Sequence, residues 1–194
     1  MKLEPFLSVK TRSHEKEIMD LECRSYEETS ETYCLIRRVN RYLGGSGVIL
    51  AHLERFARGW NRAKTLRILD VAAGIADIPQ AVVRWARKKG QSIRVTALDI
   101  NPHALAFGRT ELAGYPEISF LRGSIFDPPF LEGSFDYVIS SMFFHHLTEE
   151  EAARVLKISS ELARRGVIVN DLLRKRGAYL GILFLSRFSR NAMF

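Results

Sequence analysis

The stretch Leu66-Arg67-Ile68-Leu69-Asp70-Val71-Ala72-Ala73-Gly74-Ile75-Ala76-Asp77 decides how this chain folds. Its first six residues are an apolar run of the length of a buried strand, and the run stops in small residues, as a tight turn requires. Asp77-Ile78-Pro79-Gln80 then opens a helix, with Asp77 as the expected cap, Pro79 in the first turn and Gln80 completing a capping box. Val82, Trp85 and Ala86 mark the buried face of that helix, and Gly90 ends it. Strand, small-residue turn and helix in this order are the opening of a parallel α/β unit.

The same rhythm continues downstream. Ile93 to Leu98 reads as a second strand that ends at Asp99, and Asn101-Pro102 starts a helix with Leu105 and Leu112 inward. Ile118 to Leu121 and Phe135 to Ser140 are the third and fourth strands. Thr148-Glu149-Glu150-Glu151 is a capping box for a helix carrying Val155, Leu156 and Leu162. Val167-Ile168-Val169 is the fifth strand and ends at Asn170-Asp171. Five strands separated by helices predict a doubly wound parallel sheet with helices on both faces. Upstream, helical spacing runs from about Glu15 to Lys64 and is divided into two helices by Gly44-Gly45-Ser46-Gly47. The expected organisation is one domain: a helical cap over 1–64, a core over 65–171 and a basic, apolar helix over 172–194.

Composition limits the function. The chain has 194 residues, 46% of them hydrophobic, which excludes general disorder. No apolar run reaches the roughly 20 residues of a transmembrane helix, and the N-terminus lacks a secretion signal, so a cytoplasmic location is expected. Cys23 and Cys34 stand eleven apart, a spacing that suggests neither a disulfide framework nor a metal site. The net charge of +7 is concentrated: Arg37 to Arg67 holds eight cations against Glu54 alone. A basic face of this kind fits nucleic acid, anionic lipid or an acidic small molecule. Nucleic acid is taken as the less favoured of these partners.

In an open parallel sheet the ligand crevice lies outside the C-terminal strand ends. Here those ends carry Asp70, Asp99, Ser124 (just past strand three), Ser140 and Asp171. A dinucleotide-binding turn requires Gly-x-Gly-x-x-Gly, and only Gly74 is present. Asp70 and Asp77 bracket the turn and would repel a pyrophosphate. They attract a cation instead, and S-adenosylmethionine carries both a sulfonium and an ammonium. Asp99 can accept hydrogen bonds from two ribose hydroxyls.

Leu66 to Gly74 resembles the first motif of class I S-adenosylmethionine-dependent methyltransferases, commonly Asp-x-Gly-x-Gly. Ala97-Leu98-Asp99-Ile100-Asn101-Pro102 is similar to their second, with its ribose acid. Gly123-Ser124, Pro129-Phe130 and Gly133-Ser134-Phe135-Asp136 resemble the stretch leading into strand four. Ser140 to Leu147 is similar to the small-molecule branch, which includes quinone-biosynthesis C-methyltransferases. The resemblance implies a Rossmann-like, mainly parallel sheet of order 3-2-1-4-5, with S-adenosyl-L-methionine as cofactor. It implies that Asp70, Ala72, Ala73, Gly74, Asp77, Asp99, Ile100, Ser124, Ile125 and Ser140 bind that cofactor, and that no metal is needed. Three departures stand out. Ala72 and Ala76 replace glycines, Ser124 replaces an acid that family members place on the adenine (Asp127 is a substitute), and the usual C-terminal antiparallel hairpin has no counterpart in the residues after Asp171.

Methyl transfer needs alignment, a dry cavity and, for some acceptors, a base. His145 and His146, just after strand four, are the catalytic candidates, whereas His14, His52 and His103 read as surface residues. Asp171 stands between lining a pocket and fixing its loop, and Arg41 between the cofactor carboxylate and solvent. Phe126, Phe130, Phe143 and Phe144 either line a pocket or fill the core. The tail from Arg174 to Arg190 reads as a lid, a homodimer contact or a weak peripheral membrane contact, in that order. The leading expectation is methyl transfer to a small, apolar acceptor. A non-catalytic nucleotide-fold module and an RNA methyltransferase are the rivals. The helical front is expected to close over the crevice, hinged at Gly44-Gly45.

Overall fold

The computed structural model of the protein describes residues 45–171. The expectations for the front before residue 45, for Arg41 and for the tail and the hairpin after Asp171 lie outside these residues. In chain order the elements are α1 (Gly45–Phe56), a 3-10 turn (Ala57–Gly59), β1 (Leu66–Val71) and α2 (Asp77–Lys89). There follow β2 (Ile93–Asp99), α3 (Pro102–Glu111), β3 (Ile118–Arg122) and β4 (Phe135–Ser141). A second 3-10 turn (Phe144–His146), α4 (Glu149–Leu162) and β5 (Ala163–Asn170) complete them.

The five strands form one all-parallel sheet of order β3-β2-β1-β4-β5. Val71 lies level with Leu98 on one side and Ser140 on the other, and Ser140 lies level with Val169. The polar residues at the strand ends therefore form one row. Side chains alternate across the sheet. Ile68, Val95, Ala97, Ile139 and Ile168 join Val82, Val83 and Ala86 of α2 in one buried cluster. Leu69, Val71, Leu98 and Val138 join Val155 and Leu162 of α4 in the other. The two clusters are the two sides of a doubly wound sheet.

Three local readings need correction. Gly45, Ser46 and Gly47 form the first turn of α1, so the glycine-rich segment is not a break over those residues. α1 does not cover the strand ends: Ile49 and Leu53, both fully buried, pack with α2 against the sheet face. Glu54 accepts from Trp85 Nε1 and pairs with Lys89 at the far end of α2. In α4 the reading of Val155 and Leu162 as core holds, but Leu156 is 44% exposed. The caps of the other helices follow the sequence. Asn101 Oδ1 accepts from the His103 and Ala104 N–H groups, and Thr148 and Glu151 form a reciprocal capping box.

Candidate active site

The turn after β1 is bent more sharply than its sequence suggests. Ala72 (φ 57°), Gly74 (φ 53°) and Ala76 (φ 62°) all lie in the left-handed region. For alanine that conformation costs about 1–2 kcal/mol, so the two departures from glycine carry strain in the turn. Because Ala76 takes that conformation, it occupies the N-cap of α2 and Asp77 becomes its first helical residue. The expected Asp77 cap and its capping box with Gln80 are therefore not formed. The Gln80 N–H instead bonds the Ala76 carbonyl within the helix.

Three carboxylates influence one another here. Asp70 shares the face of Ile68, since Leu69 and Val71 turn the other way. It is 2% exposed, and its Oδ2 has no hydrogen-bond partner. Burial pushes its carboxyl well above the ordinary value, and the charges of Asp77 and Asp99 push it the same way. Asp99 accepts from the Gly74 N–H (2.6 Å to Oδ2) and the Asn101 N–H (2.8 Å to Oδ1). Its carboxyl is also raised by burial, against the opposing pull of these backbone donors. Asp99 thus holds the first turn to the second.

The remaining cofactor candidates divide. Ile100 is 69% exposed beside Asp99 and is available to a ligand. The Ala73 N–H bonds the Leu98 carbonyl, which fixes the turn against β2. Ser140 Oγ donates to the Val71 carbonyl, tying β4 to β1, and Ser124 Oγ accepts from the Phe126 N–H. Ile125 is buried in the core cluster of α4. Asp127 is exposed in its loop. Phe126, Phe130, Phe143 and Phe144, all partly exposed, pack on the α4 cluster.

β4 ends in a left-handed Met142 (φ 58°), whose N–H bonds the Asn170 carbonyl of β5. The chain then drops into the 3-10 turn that presents His145. Asp171, at the end of β5, holds this histidine twice: Oδ2 accepts the His145 N–H (2.9 Å) and Oδ1 lies 2.7 Å from Nδ1. His146 is exposed, and its ring stacks on that of His145 at 4.1 Å between centroids. The strand ends had nominated His145 and Asp171 separately, but not as a pair. Gly108 escaped notice as well. A Cβ there would stand 2.8 Å from the Ile75 carbonyl oxygen and 2.8 Å from the Phe120 ring, so only glycine lets α3 seat against the first turn. A glycine inside a helical pattern was the signal.

Comparison with known proteins places this geometry. The methyltransferase domain family matches residues 68–166, just over half the chain. The chain belongs to that family. It is 29% identical over 122 residues to the demethylmenaquinone methyltransferase of Lysinibacillus sphaericus, covering 63% of this chain and 50% of that protein. It is 33% identical over 98 residues to the ubiquinone/menaquinone biosynthesis C-methyltransferase of Rickettsia felis, covering 46% and 40%. The chain spans about half the length of the curated relatives it matches. A candidate S-adenosyl-L-methionine-dependent methyltransferase from Methanococcus maripaludis superposes with a TM-score of 0.59 over 87% of this chain and 75% of that one, at 11% identity. The CurJ carbon methyltransferase superposes at 0.55 over 66% and 35%, at 15% identity. Both share the fold. The sheet order expected from the sequence is the one observed.

Proposed function

We propose that the chain is an S-adenosyl-L-methionine-dependent methyltransferase acting on a small, apolar acceptor of the quinone type that its relatives' names specify. The observation that carries this reading is the buried, unpartnered Oδ2 of Asp70 beside Asp77 and Asp99. A buried carboxylate without a partner is costly and is relieved by a cationic ligand, not by a phosphate. The residues present fit the cofactor. Asp99 would take the ribose hydroxyls, Asp70 and Asp77 the cationic end, and Ile100 the adenine face, with Ala72, Ala73 and Gly74 bringing the backbone close. Ser124, Ser140 and Ile125 act one step back, fixing the loops.

When bound, the cofactor supplies a methyl group made electrophilic by its sulfonium. This chain's part is to align and deprotonate. Asp171 at Nδ1 favours the tautomer with hydrogen on that nitrogen, which leaves Nε2 of His145 as the basic atom. His145 takes the acceptor's proton there, while His146 packs on its ring. The rival readings are not favoured: a non-catalytic module needs no buried acid at the first turn, and an RNA methyltransferase would normally carry an Asn/Asp-Pro-Pro-Tyr/Phe-type signature after β4, where this chain has Ser140-Ser141-Met142-Phe143. We place the protein in the cytoplasm; among the described residues no helix is long and apolar enough to cross a membrane. Titration calorimetry tests the proposal: S-adenosylmethionine should bind, and Asp99→Ala should weaken it tenfold or more. Absence of heat with both the cofactor and its demethylated product refutes it.

A further inference from the structure

We propose that the opposite, N-terminal edge of the sheet holds a second ligand site, for an oligophosphate anion. A hollow of about 380 Å³ opens there, lined by Asn61, Lys64, Thr65, Arg67, Arg164 and Arg165 around Asp136. That volume falls within the roughly 300–1,000 Å³ of small-molecule sites. Four cations face one acid, and the acid is already committed. Asp136, 9% exposed, accepts the Arg67 backbone N–H at Oδ2 (3.0 Å) and Arg165 Nε at Oδ1 (3.2 Å). Among the described residues no acid pairs with the side chains of Lys64, Arg67 or Arg164.

The cations are held in place by the fold. Between Phe135↔Ala163 and Tyr137↔Gly166, β5 has one residue more than β4, so Arg164 and Arg165 together oppose Asp136. Such a bulge aims neighbouring side chains to one place and is over-represented beside functional sites. The Arg164 stem lies 3.5 Å from where a Cβ on Gly133 would stand. Lys64 sits in a loop pinned by Asn61 Oδ1 to the Ala63 N–H and by buried Gln91, whose Nε2 donates to the Lys64 carbonyl. Arg94 of β2 lies level with Arg67 and extends the row. Crowding four cations around a single acid is self-repulsive, and a multivalent anion offsets that cost. Arginine forks suit phosphate oxygens, several at once for a chain of phosphates. No stacking surface accompanies them, so the site reads phosphate groups and not bases.

This site is independent of the cofactor proposal: Asp70 and Asp99 lie at the C-terminal ends of the same strands. The test uses the full chain and inorganic tripolyphosphate as probe, followed by calorimetry. Binding should be at least tenfold tighter than for orthophosphate and should weaken with added salt. The Arg67→Gln/Arg164→Gln variant, whose changes are at exposed positions, should lose it tenfold or more, with S-adenosylmethionine binding unchanged and circular dichroism confirming the fold. Two competition arms separate the sources: phosphatidylglycerol vesicles and a 20-nucleotide RNA. No heat with tripolyphosphate, heat unaffected by the double substitution, or RNA or vesicle binding that tripolyphosphate fails to displace overturns the proposal.

Discussion

Replacing Asp70 by asparagine should stabilise the ligand-free protein while weakening its hold on the cofactor. The carboxyl is 2% exposed, one of its oxygens is unpartnered, and two further acids raise its proton affinity. An unsatisfied buried group costs about 1–3 kcal/mol and more when it is charged, and the amide, though still short of a partner, removes the charge that burial, Asp77 and Asp99 disfavour. For a chain of this size each kcal/mol moves the melting temperature by about 2–4 °C. Asp70→Asn should therefore raise Tm by roughly 2–12 °C at pH 7.5. The pH dependence gives the sign. A carboxyl whose folded pKa is raised binds its proton more tightly in the folded state than in the unfolded one. The stability this confers is full below the unfolded value, about 3.9, and is lost as pH rises through the raised folded value. Wild-type protein should consequently gain on the variant as pH falls from 7.5 towards 4. Scanning calorimetry at several pH values, paired with cofactor titration, measures both effects. A variant less stable than wild type at pH 7.5, or a gain that does not change with pH, refutes the reasoning.

The other expectations concern packing and chemistry. Gly108→Ala should destabilise by about 1–3 kcal/mol, since the Ile75 carbonyl it meets is backbone and cannot swing aside; urea denaturation reads this. Thr148→Ala removes the Oγ1 that accepts the Glu151 N–H in the α4 capping box and should cost about 1 kcal/mol in the same assay. His145→Ala should lower kcat about 10²–10⁴-fold in a methyl-transfer assay with a reduced quinone while leaving cofactor affinity unchanged. Asp171→Asn should lose rate without losing the fold, and equal activity in both variants and wild type removes the pair from the chemistry.

What the sequence disclosed follows from what each signal measures. Strand positions were legible because apolar runs such as Leu66–Val71 and Ile93–Leu98 carry burial on both faces, which a covered parallel sheet supplies, whereas their order came from the family resemblance. The acids at the strand ends were legible for the same reason, as polar residues where apolar runs stop. Asp77 was misread because capping depends on backbone dihedrals, and the left-handed Ala76 moved the cap by one residue. The bond from Ser140 Oγ to the Val71 carbonyl and the burial of Ile125 were not legible, because a strand-end position does not reveal which way a hydroxyl or methyl points. The His145–Asp171 pair joins residues 26 apart through the pairing of β4 with β5, a contact that no local pattern encodes.

The aromatic junction beside α1 has an optical consequence. Trp60 and Trp85, the two tryptophans of the chain, meet edge to face at 5.6 Å, and Trp60 Nε1 donates to the Tyr137 hydroxyl. All the indole emission of this protein thus arises from one spot, and the two rings are close enough to share excitation. Tyr137 sits two strand positions below Ile139, the partner of Asp70, about 7 Å from the level of that acid. Ultraviolet fluorescence will therefore report the detachment of α1 from the sheet and stay nearly silent when the crevice fills. A lamp and a cuvette can follow unfolding here, but ligand binding has to be watched by another signal.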